Sequence, residues 1–333
     1  MREHEVTLAS EVSIAGVLCL PEEATAASPV PAIALIAGSG ADTRDGDLVL
    51  EGGADGEPPA PGTMRRIAHH LAMAGVATLR WDRRGFGRSS GDVSEVSYDT
   101  DLADALACVR WLRDRPEVLA DRVAVAGHSA GALVACRVCR DEPGVAGVAL
   151  LGALSSPIED MLRWNVGRLQ RHWDEFSEEQ RAWLSSALPI TLLRSEGMER
   201  LLEGARRGEE VLVLERNGVT MEMRTVRLRQ DLATSYADEM RVVRCPVLVL
   251  HGGDDLNVPV EDALRSYTVL REAGNHDVTL LVLPGLEHYF NPVSPDPHQR
   301  VWERVSLTAI RRPMAKQALD AVTRWAVHTL GAD

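Results

Sequence analysis

Gly127-His128-Ser129-Ala130-Gly131 is the segment whose residue types and spacing point most directly to chemistry. It follows the apolar run Val123 to Ala126 and opens a helical pattern. In that strand–turn–helix setting, G-x-S-x-G reads as a nucleophile elbow. The turn holds the serine in a strained backbone conformation and projects its hydroxyl above a sheet. The two glycines leave room for close packing, and a helix starting at Ala130 favours negative charge at its N-terminus. A serine hydroxyl is a weak nucleophile, so it needs a base, and the base needs an acid to orient it. An elbow of this kind takes its partners in the chain order serine, acid, histidine. The run Val247 to Leu250 leads into His251-Gly252-Gly253-Asp254-Asp255-Leu256-Asn257-Val258-Pro259, and the run Val278 to Leu283 leads into Pro284-Gly285-Leu286-Glu287-His288. Both segments sit just past an expected strand C-terminus, where α/β sites gather. His288 is the expected base. Asp254 and Asp255 both qualify as the acid, and since adjacent loop side chains point apart, one of them reaches the imidazole.

Other chemistries have less support. His251 reads as a strand-end residue, and His69, His70 and His298 lack metal-ligand spacing, so no metal site is expected. Cys136 and Cys139 form a C-x-x-C without a second pair or flanking histidine, which reads as two small residues on a helix. Of the 36 basic residues, 35 are arginine and one is Lys316. A Ser–Lys dyad, a Schiff base or a Walker lysine would have to use Lys316, and no motif surrounds it. The formal net charge of −13 argues against a nucleic-acid or anionic-membrane surface.

The elements that must position these residues alternate. Short continuous apolar runs, at residues 32–37, 76–79, 123–126, 145–151, 247–250 and 278–283, suit strands buried on both faces. Helical patterns separate them at 64–74, 99–113, 130–140, 260–273 and 313–330. The first twenty residues alternate in polarity and read as an antiparallel hairpin or meander at a sheet edge. The fold class expected is therefore doubly wound α/β with a mostly parallel sheet. Two segments break the rhythm. Residues 41–63 form a long loop rich in Gly, Asp, Glu and Pro, of a length that is usually functional or mobile. From 155 to 243 no buried-strand run occurs and helical periodicity dominates, so the 333 residues divide into a core of 1–154 and 244–333 and a helical cap, or lid, of 155–243. Trp164, Trp173 and Trp183 fall in the cap, either as an apolar acyl pocket or, for at least two of them, as the cap's own core. The N-terminus has no apolar signal region, no run reaches membrane-spanning length, and five scattered cysteines fit a reducing cytoplasm.

Four motifs in order give the chain a family likeness. They are Ala37-Gly38-Ser39-Gly40-Ala41-Asp42-Thr43-Arg44-Asp45, then Arg80-Trp81-Asp82-Arg83-Arg84-Gly85-Phe86-Gly87-Arg88-Ser89-Ser90-Gly91, then the elbow, then Gly252-x-x-Asp255-x-x-Val258-Pro259 with Pro284-Gly285-x-x-His288. The chain resembles the α/β-hydrolase superfamily, and within it bacterial serine esterases and serine-aminopeptidase-like hydrolases. Ala41 and Thr43 depart from that group's proline and aspartate. The resemblance implies that Asp255 is the acid. It also implies an oxyanion hole built from the backbone N–H groups of Ser39 and Ala130, and a bracing role for the Asp82-Arg83-Arg84-Gly85 turn. It implies cofactor-free hydrolysis of a small carboxylic ester, thioester or lactone by a Ser129–His288–Asp255 acyl-enzyme route. The alternatives are an acyltransferase, an amidase or aminopeptidase using the same triad, and a non-catalytic small-molecule binder.

Overall fold

The structure, a computed structural model, describes residues 1–40, 42–48, 61–187, 195–216 and 219–332. Ala41 and most of the expected loop at 41–63 lie outside the described residues.

Eight strands form the central sheet: β1 (Arg2–Ala9), β2 (Ser13–Leu20), β3 (Val30–Ile36), β4 (Ala77–Trp81), β5 (Val118–His128), β6 (Val148–Leu151), β9 (Val247–Gly252) and β10 (Val278–Leu283). Their spatial order is β1-β2-β4-β3-β5-β6-β9-β10. The first two pair antiparallel, β2 meets β4 antiparallel, and every later pairing is parallel. The mostly parallel α/β sheet expected from the sequence is thus present, with the expected hairpin at one edge.

Burial on both faces explains the unbroken apolar runs. Alternate residues of each central strand serve opposite cores. Ala32, Val123, Val125, Val247 and Val249 face one cluster with Leu112 and Leu133, from α2 (Tyr98–Arg113) and α3 (Ala130–Asp141), and Leu270 of α9 (Glu261–Glu272). Ile33, Leu35, Ala124, Leu248 and Leu250 face the other, with Ile67 and Leu71 of α1 (Thr63–Ala72) and Trp325 of α11 (Lys316–Leu330). The edge strands β1 and β10 consist mostly of partly buried and exposed residues instead, with Leu8 of β1 buried.

Between β6 and β9 lie α4 (Ile158–Arg171), α5 (Glu178–Ala187), α6 (Ser195–Arg206), α7 (Val226–Ala233) and α8 (Tyr236–Met240). This segment is not wholly helical. It carries an antiparallel hairpin, β7 (Val211–Arg216) with β8 (Val219–Arg224), which helical periodicity did not reveal. Its own small core joins Val166, Met198, Leu202 and Leu212. A second cluster joins Leu169, Phe176 and Leu184 to Val301 of α10 (Pro297–Val305), with Trp173 and Trp183 packed against it. Two of the three tryptophans therefore serve packing. At the far end of the segment, Tyr236 and Met240 of α8 belong to the main core cluster. Among the described residues, no helix is long and apolar enough to cross a membrane.

Candidate active site

Parallel strands deliver their C-terminal ends to one edge of the sheet, and the residues singled out by sequence follow those ends. Ser129 comes directly after β5, the Gly38–Ser39 loop after β3, Gly152 after β6, Asp254 and Asp255 after β9, and His288 beyond β10. Ser129 has φ 53° and ψ −123°, a left-handed conformation that an L-residue adopts only under constraint. The constraint is visible in its glycines. A Cβ on Gly127 would lie 2.2 Å from the Gly131 carbonyl oxygen, and one on Gly131 would lie 2.5 Å from the Ile36 carbonyl oxygen. The turn closes because neither side chain exists.

The loop after β3 runs against this elbow. A Cβ on Gly38 would come within 2.9 Å of the Ser129 Cβ and 3.0 Å of the His128 carbonyl oxygen. Ser39 is therefore one residue from a backbone in contact with Ser129. The Ala130 amide opens α3 and by position has no intrahelical acceptor. Arg83 fixes the loop from below. Its Nη2 donates to the Gly38 carbonyl at 3.3 Å, its Nε donates to Asp101 at 3.1 Å, and its Nη1 pairs with Asp42. Asp82 accepts from the Arg44 amide at 2.7 Å and from the Arg44 guanidinium at 2.5 Å. Asp45 accepts from Arg80 at 2.9 Å. The charged residues of the first two motifs thus lace one loop to the other, the bracing expected for that turn.

His288 is 2% exposed and Asp255 4%. His288 Nδ1 lies 2.7 Å from Asp255 Oδ2. Asp255 Oδ1 accepts from the amides of Asn257 at 2.7 Å and Val258 at 3.0 Å. Burial pushes the Asp255 carboxyl up, but His288, His251 and the Val258 amide outweigh it and hold it at about 2. As an ionised acceptor, Asp255 fixes the proton on Nδ1 and leaves the other ring nitrogen, Nε2, unprotonated. Asp254 faces elsewhere: its Oδ2 accepts from the Gly285 amide at 2.7 Å, and its carboxylate pairs with Arg300. The two candidate acids are thus separated by geometry. Gly152, at φ +58°, leaves the space that the His288 ring fills, since a Cβ there would touch the ring at 3.2 Å. The Ser129 amide donates to the carbonyl of the preceding residue, Leu151, at 2.8 Å. Residues 151 and 152 thus lie against the Ser129 backbone on one side and the His288 ring on the other.

Several supporting residues escaped the sequence reading. His128 Nε2–H donates to the His288 carbonyl at 2.9 Å, and burial, then the neighbouring His288, push its pKa down to about 3, so it stays neutral. His251 was expected to be a strand-end residue and is one. It also lies 3.4 Å from Asp255 Oδ2 and 3.2 Å from the Val258 carbonyl. On α4, Asn165 Nδ2 donates to the Asn257 carbonyl at 2.8 Å and Arg168 Nη2 to the Leu256 carbonyl at 2.6 Å. The inserted segment thereby grips the loop that carries Asp255. An i, i+3 polar pair was the available signal, but such pairs are ordinary on exposed helices. His298, in which no metal spacing was seen, comes within 3.1 Å of Glu175, itself 2.8 Å from His172. Cys139 Sγ lies 3.9 Å from Cys245 Sγ, and both are free thiols.

The profile of the family described as "Serine aminopeptidase, S33" matches residues 61–291, more than half of the chain. The chain belongs to this family of α/β-hydrolases. Beyond that family assignment, it is 24% identical over 303 residues to the esterase EstD of Thermotoga maritima, covering 90% of this chain. It is 27% identical over 239 residues to a non-heme haloperoxidase of Rhodococcus erythropolis, covering 68% of this chain and 80% of the relative. The S33-family chain spans 62% of the length of EstD. Among solved structures, it is similar to Est1E of Butyrivibrio proteoclasticus with bound ferulic acid, at TM-score 0.56 and 18% identity, covering 92% of this chain and 100% of that one. It is also similar to the α/β-hydrolase GrgF of Penicillium sp. sh18, at TM-score 0.60 and 16% identity, covering 99% and 100%. At these identities the structural likeness speaks for the fold.

Proposed function

We propose that this S33-family chain hydrolyses a carboxylic ester, with thioesters and lactones as close variants, through an acyl-enzyme on Ser129. The carrying observation is the His288–Asp255 pair at 2.7 Å beside a serine held at φ 53°. His288 takes the Ser129 proton through Nε2, and Ser129 Oγ attacks the carbonyl carbon. The Ser39 and Ala130 amides receive the oxyanion, each worth about 3 kcal/mol of barrier. His288 returns the proton to the leaving alcohol. Water then attacks the acyl-enzyme with His288 again as base, releasing the acid and restoring Ser129. These steps use side chains and amides of the chain alone. Residues 155–243 act as the cap over this site, and the partner is a small acyl substrate. The aminopeptidase alternative needs carboxylates free to hold a substrate amine. Of the cap acids Glu159, Asp160, Asp174 and Glu175, the first and last are engaged by Arg163 and His172, while Asp160 and Asp174 are exposed; the aminoacyl anilides in the panel below test this alternative.

A fluorophosphonate probe followed by peptide mass spectrometry tests the reading. The expected adduct is on Ser129 and disappears in Ser129→Ala. A folded wild-type protein that takes no label overturns the assignment. A panel of p-nitrophenyl esters, thioesters, lactones and aminoacyl anilides then ranks the bond cleaved.

A further inference from the structure

Five cysteines are spread along the chain, and all five are free thiols. Cys19, Cys108 and Cys136 are buried, and burial pushes the pKa of each up. Thiols in that setting are inert. Cys139 and Cys245 are the two half-buried ones, and they meet, Sγ to Sγ, at 3.9 Å. The C-x-x-C of the sequence is thus divided. Cys136 packs into the core, and Cys139 turns to a partner 106 residues away.

The backbone on each side of the pair is held. Cys139 lies in the last turn of α3, between Arg137 and Arg140, which pair with Glu239 of α8 at 2.9 and 3.3 Å. Cys245 lies in the stretch that joins α8 to β9. Asn275 Nδ2 donates to its carbonyl at 2.9 Å and to that of Val243 at 3.2 Å. Approach to disulfide length, about 2 Å, is left to rotation about the two Cα–Cβ bonds. The pair is also unequal. The contact with Cys139 outweighs burial and pulls the Cys245 pKa down, whereas the same contact and then burial push Cys139 up. Cys245 is therefore the better thiolate, with a second sulfur in contact to resolve it.

We propose that Cys139 and Cys245 form a site of reversible oxidation, at which hydrogen peroxide converts the two thiols to a disulfide. The Cys245 thiolate attacks a peroxide oxygen and breaks the O–O bond. It becomes a sulfenic acid, and the hydroxide released takes up a proton to form water. The Cys139 sulfur then attacks the Cys245 sulfur. The S–S bond forms, the S–O bond breaks, and the Cys139 proton leaves with the hydroxide as a second water. The two thiols lose two electrons and the peroxide gains them. Cys139 stands before the inserted segment and Cys245 after it. The bond closes residues 139–245 into a loop fixed on α3 and on the lead into β9, which restricts the unfolded chain. This site does not depend on the esterase reading.

Peroxide treatment of the wild-type protein tests it. Remaining thiols are alkylated, and a digest made without reductant is read by mass spectrometry. The expected product joins the Cys139 peptide to the Cys245 peptide and separates again in dithiothreitol. Thiol titration in denaturant should fall from five per chain to three. Cys139→Ser should leave the sulfenic acid unresolved, read as a dimedone adduct on Cys245. Cys245→Ser should give neither crosslink nor adduct on Cys139. Circular dichroism checks that both variants fold, and the wild-type crosslink decides the proposal if either does not. Recovery of both cysteines alkylated after peroxide treatment overturns it, as does pairing of either with a different cysteine. The oxidised protein should also show a higher urea midpoint than the reduced one. A crosslink without that rise would keep the site and strike its part in stabilising the segment.

Discussion

At the scale of single residues, the site is organised by which carboxylate meets which partner. Asp255 and Asp254 are adjacent, yet Asp255 meets His288 and Asp254 meets Arg300 and the Gly285 amide. Asp255→Asn should therefore lower kcat by roughly four orders of magnitude, because an amide no longer fixes the imidazole tautomer. Asp254→Asn should change kcat by less than tenfold, and steady-state kinetics on one ester checks both. Glu287 supplies a second residue-scale expectation. It is buried, its Oε1 accepts from the Tyr289 and Asn291 amides at 2.8 and 3.1 Å, and burial pushes its pKa up to about 7 from 4.5. The fold thus binds a proton that the unfolded chain releases earlier. The stability this protects is present below about pH 4.5 and is lost as pH rises towards 7, by about 3 kcal/mol in all. Glu287→Gln keeps an acceptor for both amides and no longer ionises. Urea unfolding should show it gaining on the wild type between pH 5 and pH 8; an equal difference at both pH values would contradict this.

At the scale of elements, the site depends on how closely β3, β5 and α3 approach. The elbow glycines make that approach possible, so Gly131→Ala must drive α3 away from Ile36 and Ala37, whose carbonyl oxygens lie 2.5 and 2.7 Å from the added Cβ. A loss of about 2 kcal/mol or more is expected, read as a lower Tm, together with slower fluorophosphonate labelling. These elements were legible in the sequence because strands buried on both faces leave unbroken apolar runs, and because the elbow glycines are required by backbone contact. Other elements left fainter traces. Strand position did not choose between the adjacent Asp254 and Asp255; what separates them is the tertiary contact of Asp255 with His288 and of Asp254 with Arg300 and the Gly285 amide. The β7–β8 hairpin carried one overlooked sequence signal, Asn217-Gly218 between two alternating runs. Helix α10 buries only Val301 and Glu303, too little for a periodic pattern, although Asp296 before Pro297 is a recognisable helix start.

At the scale of the whole molecule, two large cores pack the opposite faces of the sheet that carries the candidate site, while the inserted segment stands on smaller clusters. Hydrogen exchange should follow that division. Amides of β3, β5, β6 and β9 should be the slowest to exchange, those of β7 and β8 much faster, and α8 should behave with the core because Tyr236 and Met240 are built into it. Uniform exchange across the chain would contradict the picture. The segment still reaches the candidate site, because Asn165 and Arg168 hold consecutive carbonyls of the loop that carries Asp255.

The arginine-for-lysine composition has a practical consequence. Lys316 stands at the first turn of α11, 80% exposed in its side chain and paired with Asp320 at 2.7 Å. It is the one side-chain amine in 333 residues. A succinimidyl ester therefore finds a single lysine on every molecule. Dye, resin or crosslinker attached through that side chain sits at one place on α11, the α-amine of the chain being the other group such an ester acylates.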